Sequence, residues 1–211
     1  MDNEFIAKVF KWFGIGLFVT FLVAYVVSIS DSMLSFVFSG YTPFIICILE
    51  IVCAIWLAAR INHMPSGMAT CLYLGYTALT GLTFSSIFIA YEISSIIWVF
   101  LASAIIFGIF AILGKNSKLN LSGFGIFLFI GLLVVIVLEI INIFLMNGTL
   151  DMVLCIVSII IFIGYVFYDM QKISRMDNGS DNMAIIGAFN LYLDFINIFI
   201  ELLRLFGKSN D

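Results

Sequence analysis

Asn190, Asp194, Asn197, Glu201 and Arg204 follow one another at steps of 4, 3, 4 and 3 in an otherwise apolar stretch, FNLYLDFINIFIELLRLFG, at 189–207. Those steps place all five on one stripe of one helix. Three of the five are ionisable, and three further acids, Glu50, Glu139 and Asp169, sit inside other apolar runs. Two carboxylates brought together in low dielectric cannot both ionise cheaply, so they share a proton and titrate as a unit. Losing that proton leaves two like charges, which push their helices apart or hold a cation. The chemistry on offer is therefore a pH switch that can also hold a cation, provided the elements bring the acids together.

Composition says what those elements are. Of 211 residues, 64% are hydrophobic and 10% charged, and 23 are Phe; an ordinary soluble domain carries roughly 25% charged residues. So much apolar surface needs lipid as its solvent. The net charge of −4 comes with no basic patch, so no nucleic-acid partner is expected. Cys47, Cys53, Cys71 and Cys155 are scattered through apolar runs and make neither a CxxC nor a zinc set with His63, the single histidine. They read as small buried hydrophobes. The start, MDNEFIAKVFKWFG, is acidic first and shows no A-x-A cleavage site, so the first apolar run reads as an uncleaved helix.

Apolar runs long enough to cross a bilayer fall at about 11–30, 43–62, 68–90, 94–113, 122–146, 151–172 and 184–206. The breaks between them are SDSMLS, NHMPSG, YEIS, GKNSKLNLSG, MNGTLD and SRMDNGSDN. None is long enough for a soluble domain, and no internal repeat is visible. The expectation is one domain, 1–211, an all-α integral membrane protein of seven transmembrane helices. With the N-terminus in the cytoplasm, Lys8, Lys11, Arg60, Lys115, Lys118, Lys172 and Arg175 fall inside, and only Arg204 and Lys208 outside. The bias of Lys and Arg towards the cytoplasm therefore predicts N-in and C-out.

An ionisable group at mid-membrane costs about 2.5–3.5 kcal/mol on insertion scales, so such groups face a bundle interior or a water-filled cavity. The seventh helix carries the most of them and is expected at the centre, surrounded by the other six. Asp169 lies near the cytoplasmic end of the sixth helix, and Asp194 lies about 15 Å into the seventh from the same side. If the sixth continues to about 175, the two come within a turn or so in depth on helices joined by a short loop. Arg60 ends the second helix on that side and, if close, would favour ionisation. Glu50 and Arg204 match at the outer side, since Glu50 to Arg60 and Asp194 to Arg204 are equal intervals on antiparallel helices. The plainer alternative is that these acids are static hydrogen-bonded contacts between helices.

Glu139 and Asn142 share a face of the fifth helix and could line an outer vestibule. Glu92 and His63 read as loop residues, and Trp12, Trp56 and Trp98 as interface anchors. Gly75, Gly81, Gly108 and Gly164 allow close helix packing but form no GxxxG with one another.

Seven spans in this length, with YDMQKI at 168–173 and LYLDFINIFIELLRLFG at 191–207, resemble the Bax inhibitor family, the transmembrane Bax-inhibitor-motif proteins. The resemblance covers essentially the whole chain and is most specific in the last two helices. It implies a central seventh helix wrapped by six others and a pH-sensitive calcium leak. It implies that Asp169 and Asp194 are the pH sensor, and that Glu50 and Arg204 take part in closing the pore. Arg60 corresponds to an arginine at the cytoplasmic end of helix two, at a spacing from Glu50 one residue shorter than in the family. Protection from cell death, linked to eukaryotic relatives, is not carried over, because the chain lacks their long N-terminal region and basic C-terminal tail.

An intramembrane aspartyl protease also places aspartates on helices six and seven, and Tyr168-Asp169 fits its first motif. Its second motif, Gly-x-Gly-Asp, is absent: Asp194 sits in LYLD, whose bulky side chains would block a substrate backbone. The Pro-Ala-Leu motif is missing too. The seventh helix has no lysine for retinal, and no HExxH or phosphate loop occurs. No enzyme and no cofactor are therefore expected. The expected function is a calcium leak of a bacterial plasma membrane. Asp169 and Asp194 sense pH and lie on the cation path, Arg60 is their partner, and Glu50, Glu139, Asn190, Asn197, Glu201 and Arg204 line or gate the pore. The expected partners are calcium ions, protons and the lipid bilayer; a monomer is plausible, and the sequence leaves the oligomeric state open. The rivals are a proton-coupled calcium exchanger and a non-conducting interaction protein.

Overall fold

The computed structural model describes residues 3–121, 123–176 and 180–210, with Asn62 described by its backbone alone. Ser122, the expected start of the fifth span, and residues 177–179 of the SRMDNGSDN break lie outside the described residues. The described residues form eight α-helices and no strand: α1 (Asn3–Ser28), α2 (Asp31–Phe38), α3 (Thr42–Arg60), α4 (Ser66–Ala90), α5 (Ile93–Asn116), α6 (Phe124–Leu145), α7 (Gly148–Ser174) and α8 (Asp181–Phe206). All except α2 are long and apolar enough to cross a membrane, which gives seven spans. The chain is an all-α integral membrane protein of the seven-span kind.

The boundaries differ from the apolar runs where capping or amphipathic turns decide. α1 starts at Asn3 rather than near 11, because Phe5, Ile6, Val9 and Phe13 are buried on one face while Lys8 and Lys11 lower the local hydropathy. The SDSMLS break holds a helix of its own: the Ser30 hydroxyl accepts from the Met33 amide at its N-terminus. Val37 of that helix then packs in a cluster with Val27 and Ile46. α7 starts at Gly148, because the Asn147 side chain accepts from the Leu150 amide, and Asp151 therefore lies within the helix. Its other end is Ser174. The chain can reverse before α6 because Gly123 takes a left-handed φ of 85°.

The chain divides into two compact units. The first takes its described residues from Met1–Ile93, Met176–Tyr192 and Ser209–Asp211. In it α1 and α4 touch closely: a Cβ on Gly81 would stand 2.8 Å from the Thr20 carbonyl oxygen, and Gly16 faces the Tyr73 ring. The start of α8 is tied in by Asn182, which donates to the Ile61 and Met64 carbonyls at 2.8 Å each, and by a Lys8–Asp181 ion pair. Rings of Tyr73 and Tyr76 meet those of Phe189 and Tyr192 edge to face.

The second unit is Ser94–Arg175 with Leu193–Lys208. Gly114 lies against the Phe167 backbone, Gly125 against the Tyr168 ring and Gly164 against Leu128. Phe100 and Phe107 pack edge to face on Phe195. Gln171 donates to the carbonyls of Ser117 and Leu119, and Arg175 to that of Leu119, which seals the end of α7. α8 runs through both units and is the enclosed span: 67% of its apolar window is buried, against 11–28% for the others.

Candidate functional site

α8 buries most of its side chains between Ala184 and Leu203, Asp194 and Glu201 among them, so these acids must find partners within the protein. Within the second unit that stripe builds two groups of charges.

The inner group is Asp169 of α7 with Asp194 of α8. Their residues are 7% and 4% exposed, and the two carboxylates interact electrostatically. Lys172, one turn along α7 from Asp169, is the cation acting on it. The Tyr165 ring stands near both acids. The Asp194 Oδ2 is buried with no hydrogen-bond partner among the described residues. An ionised carboxylate left so would forfeit its hydration without replacement. The site can instead hold a proton or a cation.

The outer group centres on Arg204. Its guanidinium is 3.0 Å from Glu201, 3.2 Å from Glu139 and 2.5 Å from Asp151, so one cation meets three carboxylates from three helices. The planar fork of an arginine can serve several acceptors at once, which a point charge cannot. Glu201 is the buried member, at 7% exposure, and the buried Cys155 thiol lies beside it. A pocket of about 500 Å³ opens here, lined by Glu139, Asn142, Asp151 and Arg204 among others. Three acids against one arginine leave it net negative, so it favours cations.

The other expected residues fall as follows. Glu50, in the first unit, accepts from the Thr83 hydroxyl at 3.2 Å. Arg60 is exposed at the end of α3. Asn190 is half-buried. Asn197, also half-buried, donates to the Leu193 carbonyl at 2.7 Å, a bond within its own helix. Asp151 and Cys155 were not among the expected site residues. Asp151 reads as a loop acid until Asn147 is recognised as a cap. It then comes one turn before Cys155 on the same face of α7.

A family described as inhibitor of apoptosis-promoting Bax1 matches residues 2–211. An inner membrane protein of Escherichia coli (strain K12), YbhL, is 36% identical over 215 residues, which cover 98% of this chain and 92% of the relative. An uncharacterized protein of Borreliella burgdorferi is 35% identical over 221 residues, covering 100% of this chain and 94% of that one. An uncharacterized membrane protein of Streptococcus pyogenes serotype M1 is 33% identical over 220 residues, covering 99% and 94%.

Proposed function

This chain belongs to the Bax inhibitor family, and we propose that it is a pH-sensitive calcium leak, gated by a proton shared between Asp169 and Asp194. The observation that carries the reading is the buried Asp194 carboxylate, which interacts with Asp169 and has one oxygen unpartnered among the described residues. At low pH a shared proton bridges the two acids and holds α7 to α8. As pH rises the proton leaves. Two like charges then repel in a medium of low dielectric, and the helices part or a divalent cation takes the proton's place. Lys172, one turn along α7, is the cation that acts on Asp169. The Arg204 group forms the outer end. Glu139, Asp151 and Glu201 concentrate cations there, and Arg204 closes the path until calcium competes for the carboxylates. On this reading Glu50 and Asn190 are lining residues of the first unit and Asn197 of the second.

On the same reading the membrane is a bacterial plasma membrane, and the bias of Lys and Arg supports an N-terminus in the cytoplasm and a C-terminus outside. No catalysis and no cofactor are assigned; calcium is cargo. Because one pair of acids holds either the proton or the cation, coupled proton–calcium exchange is the second reading. Calcium entry driven by an imposed proton gradient would favour it.

The test is calcium flux into proteoliposomes across pH for the wild type, Asp169→Asn and Asp194→Asn. Flux that climbs with pH in the wild type and is flat in both variants is the expected result. Flux absent at every pH would favour a non-conducting protein. An unchanged pH response in both variants would remove the aspartates from the gate.

A further inference from the structure

The first unit buries a run of hydroxyls that the calcium reading does not use. Thr83 of α4 donates to Glu50 of α3 at 3.2 Å. Thr80, one turn earlier and 5% exposed, faces the Glu50 carboxylate and the hydroxyls of Tyr76 and Tyr192. The Tyr192 hydroxyl is 2.6 Å from that of Thr20 in α1, and either can be the donor. Thr20 is also 2.9 Å from the Thr77 carbonyl, and Thr80 is 3.1 Å from the Tyr76 carbonyl. Tyr192 and Thr77 are fully buried. Water is not at hand to make up a missing bond at this end of the run.

Each hydroxyl has one proton to give, and an ionised carboxylate only accepts. If Glu50 is ionised, Thr80 and Thr83 both donate to it. Thr80 then accepts from Tyr192, and Tyr192 accepts from Thr20, which turns away from the Thr77 carbonyl. If Glu50 is protonated, it donates to Thr80. Thr80 turns to the Tyr76 carbonyl, Tyr192 donates to Thr20, and Thr20 to the Thr77 carbonyl. The carbonyls of Tyr76 and Thr77 that the second arrangement needs are at 3.1 and 2.9 Å. The two arrangements differ in the direction of the Glu50–Thr80 and Tyr192–Thr20 bonds, and Tyr192 donates to Thr80 only when Glu50 is ionised. The other titratable groups near the run are Tyr73 and Tyr76 of α4 and Cys53 of α3. The charges of α1 (Glu4, Lys8 and Lys11) lie in its first turns, α2 has Asp31 at its start, and Arg60 is at the far end of α3.

We infer that Glu50 is a proton-binding site separate from the aspartate pair, and that a chain of hydroxyls through Thr80 and Tyr192 carries its protonation state to α8 and α1. The inference goes beyond the calcium reading and does not rest on ion flux.

The test is infrared difference spectroscopy of the protein in liposomes, titrated from alkaline to acid pH. Acidification should bring up a carboxyl C=O band that Glu50→Gln removes and Asp194→Asn keeps. A tyrosine signal should accompany it and vanish in Tyr192→Phe. Thr80→Val, and independently Thr83→Val on the exposed side, should each shift the midpoint of the Glu50 band, because each removes a hydroxyl partner of that carboxyl. Thr83→Val also guards against poor folding of the buried variants. The inference is overturned if Glu50→Gln leaves the acid-induced bands unchanged. It is equally overturned if the tyrosine signal survives Tyr192→Phe, or if both threonine variants keep the wild-type midpoint.

Discussion

Arg204→Met would remove the single cation from a group of three carboxylates while keeping an unbranched side chain of similar length. The three pairs are not equal. The side chains of Glu139 and Asp151 are 33% and 46% exposed, so water can replace the arginine at both. Such pairs are worth about 0.2–1 kcal/mol each. The Glu201 side chain is 10% exposed, and its oxygen is 3.0 Å from the guanidinium. Stranding one member of a buried pair costs about 3–5 kcal/mol. The Arg204 side chain is itself 32% exposed, which admits some water and brings the Glu201 contribution down to about 2 kcal/mol. The total is about 2–4 kcal/mol, and for a chain of this size each kcal/mol moves Tm by about 2–4 °C. Thermal unfolding in detergent should therefore show a fall of about 4–16 °C for Arg204→Met. Most of that loss comes from the stranded Glu201, so the double variant Arg204→Met/Glu201→Gln should recover at least half of it. Arg204→Lys should fall between, since an ammonium cannot fork across three acids. A double variant as unstable as the two single losses added together would refute the reasoning, because the two residues would then be acting independently.

Other perturbations test particular contacts. Gly114→Ala puts a methyl group into the Phe167 backbone, which should cost about 1–3 kcal/mol and lower Tm, whereas Gly108→Ala, with open space around it, should not. Asn182→Ala loses the two bonds to the Ile61 and Met64 carbonyls, so amide hydrogen exchange at the start of α8 should speed up, with a stability loss of about 1–3 kcal/mol. For flux, Asp194→Asn cannot acquire the second negative charge. Calcium entry should stay at the low-pH level throughout the range in which wild-type entry climbs, as followed with a calcium dye in liposomes.

The seven spans were legible in the sequence because lipid demands long apolar runs, and a run of about 20 residues is visible without knowing its neighbours. The enclosed position of α8 was legible for a related reason. Five polar residues on one stripe cannot all face hydrocarbon, so that helix had to be buried. The helix ends were not legible from hydropathy. Asn147 and Ser30 set them through single hydrogen bonds, and α1 begins in a turn whose lysines conceal its buried face. Tertiary structure alone decided which charges meet. Arg204 finds Glu139 and Asp151, which lie far from it in sequence and whose rotational positions on α6 and α7 no spacing rule specifies. The hydroxyl run was equally hidden. Thr20, Thr80 and Tyr192 are ordinary residues in three separate helices, and only the close approach that Gly81 permits between α1 and α4 sets them side by side. Periodicity along a chain tells which face of a helix is polar. What that face touches depends on the rotation and depth of its neighbours, which packing determines.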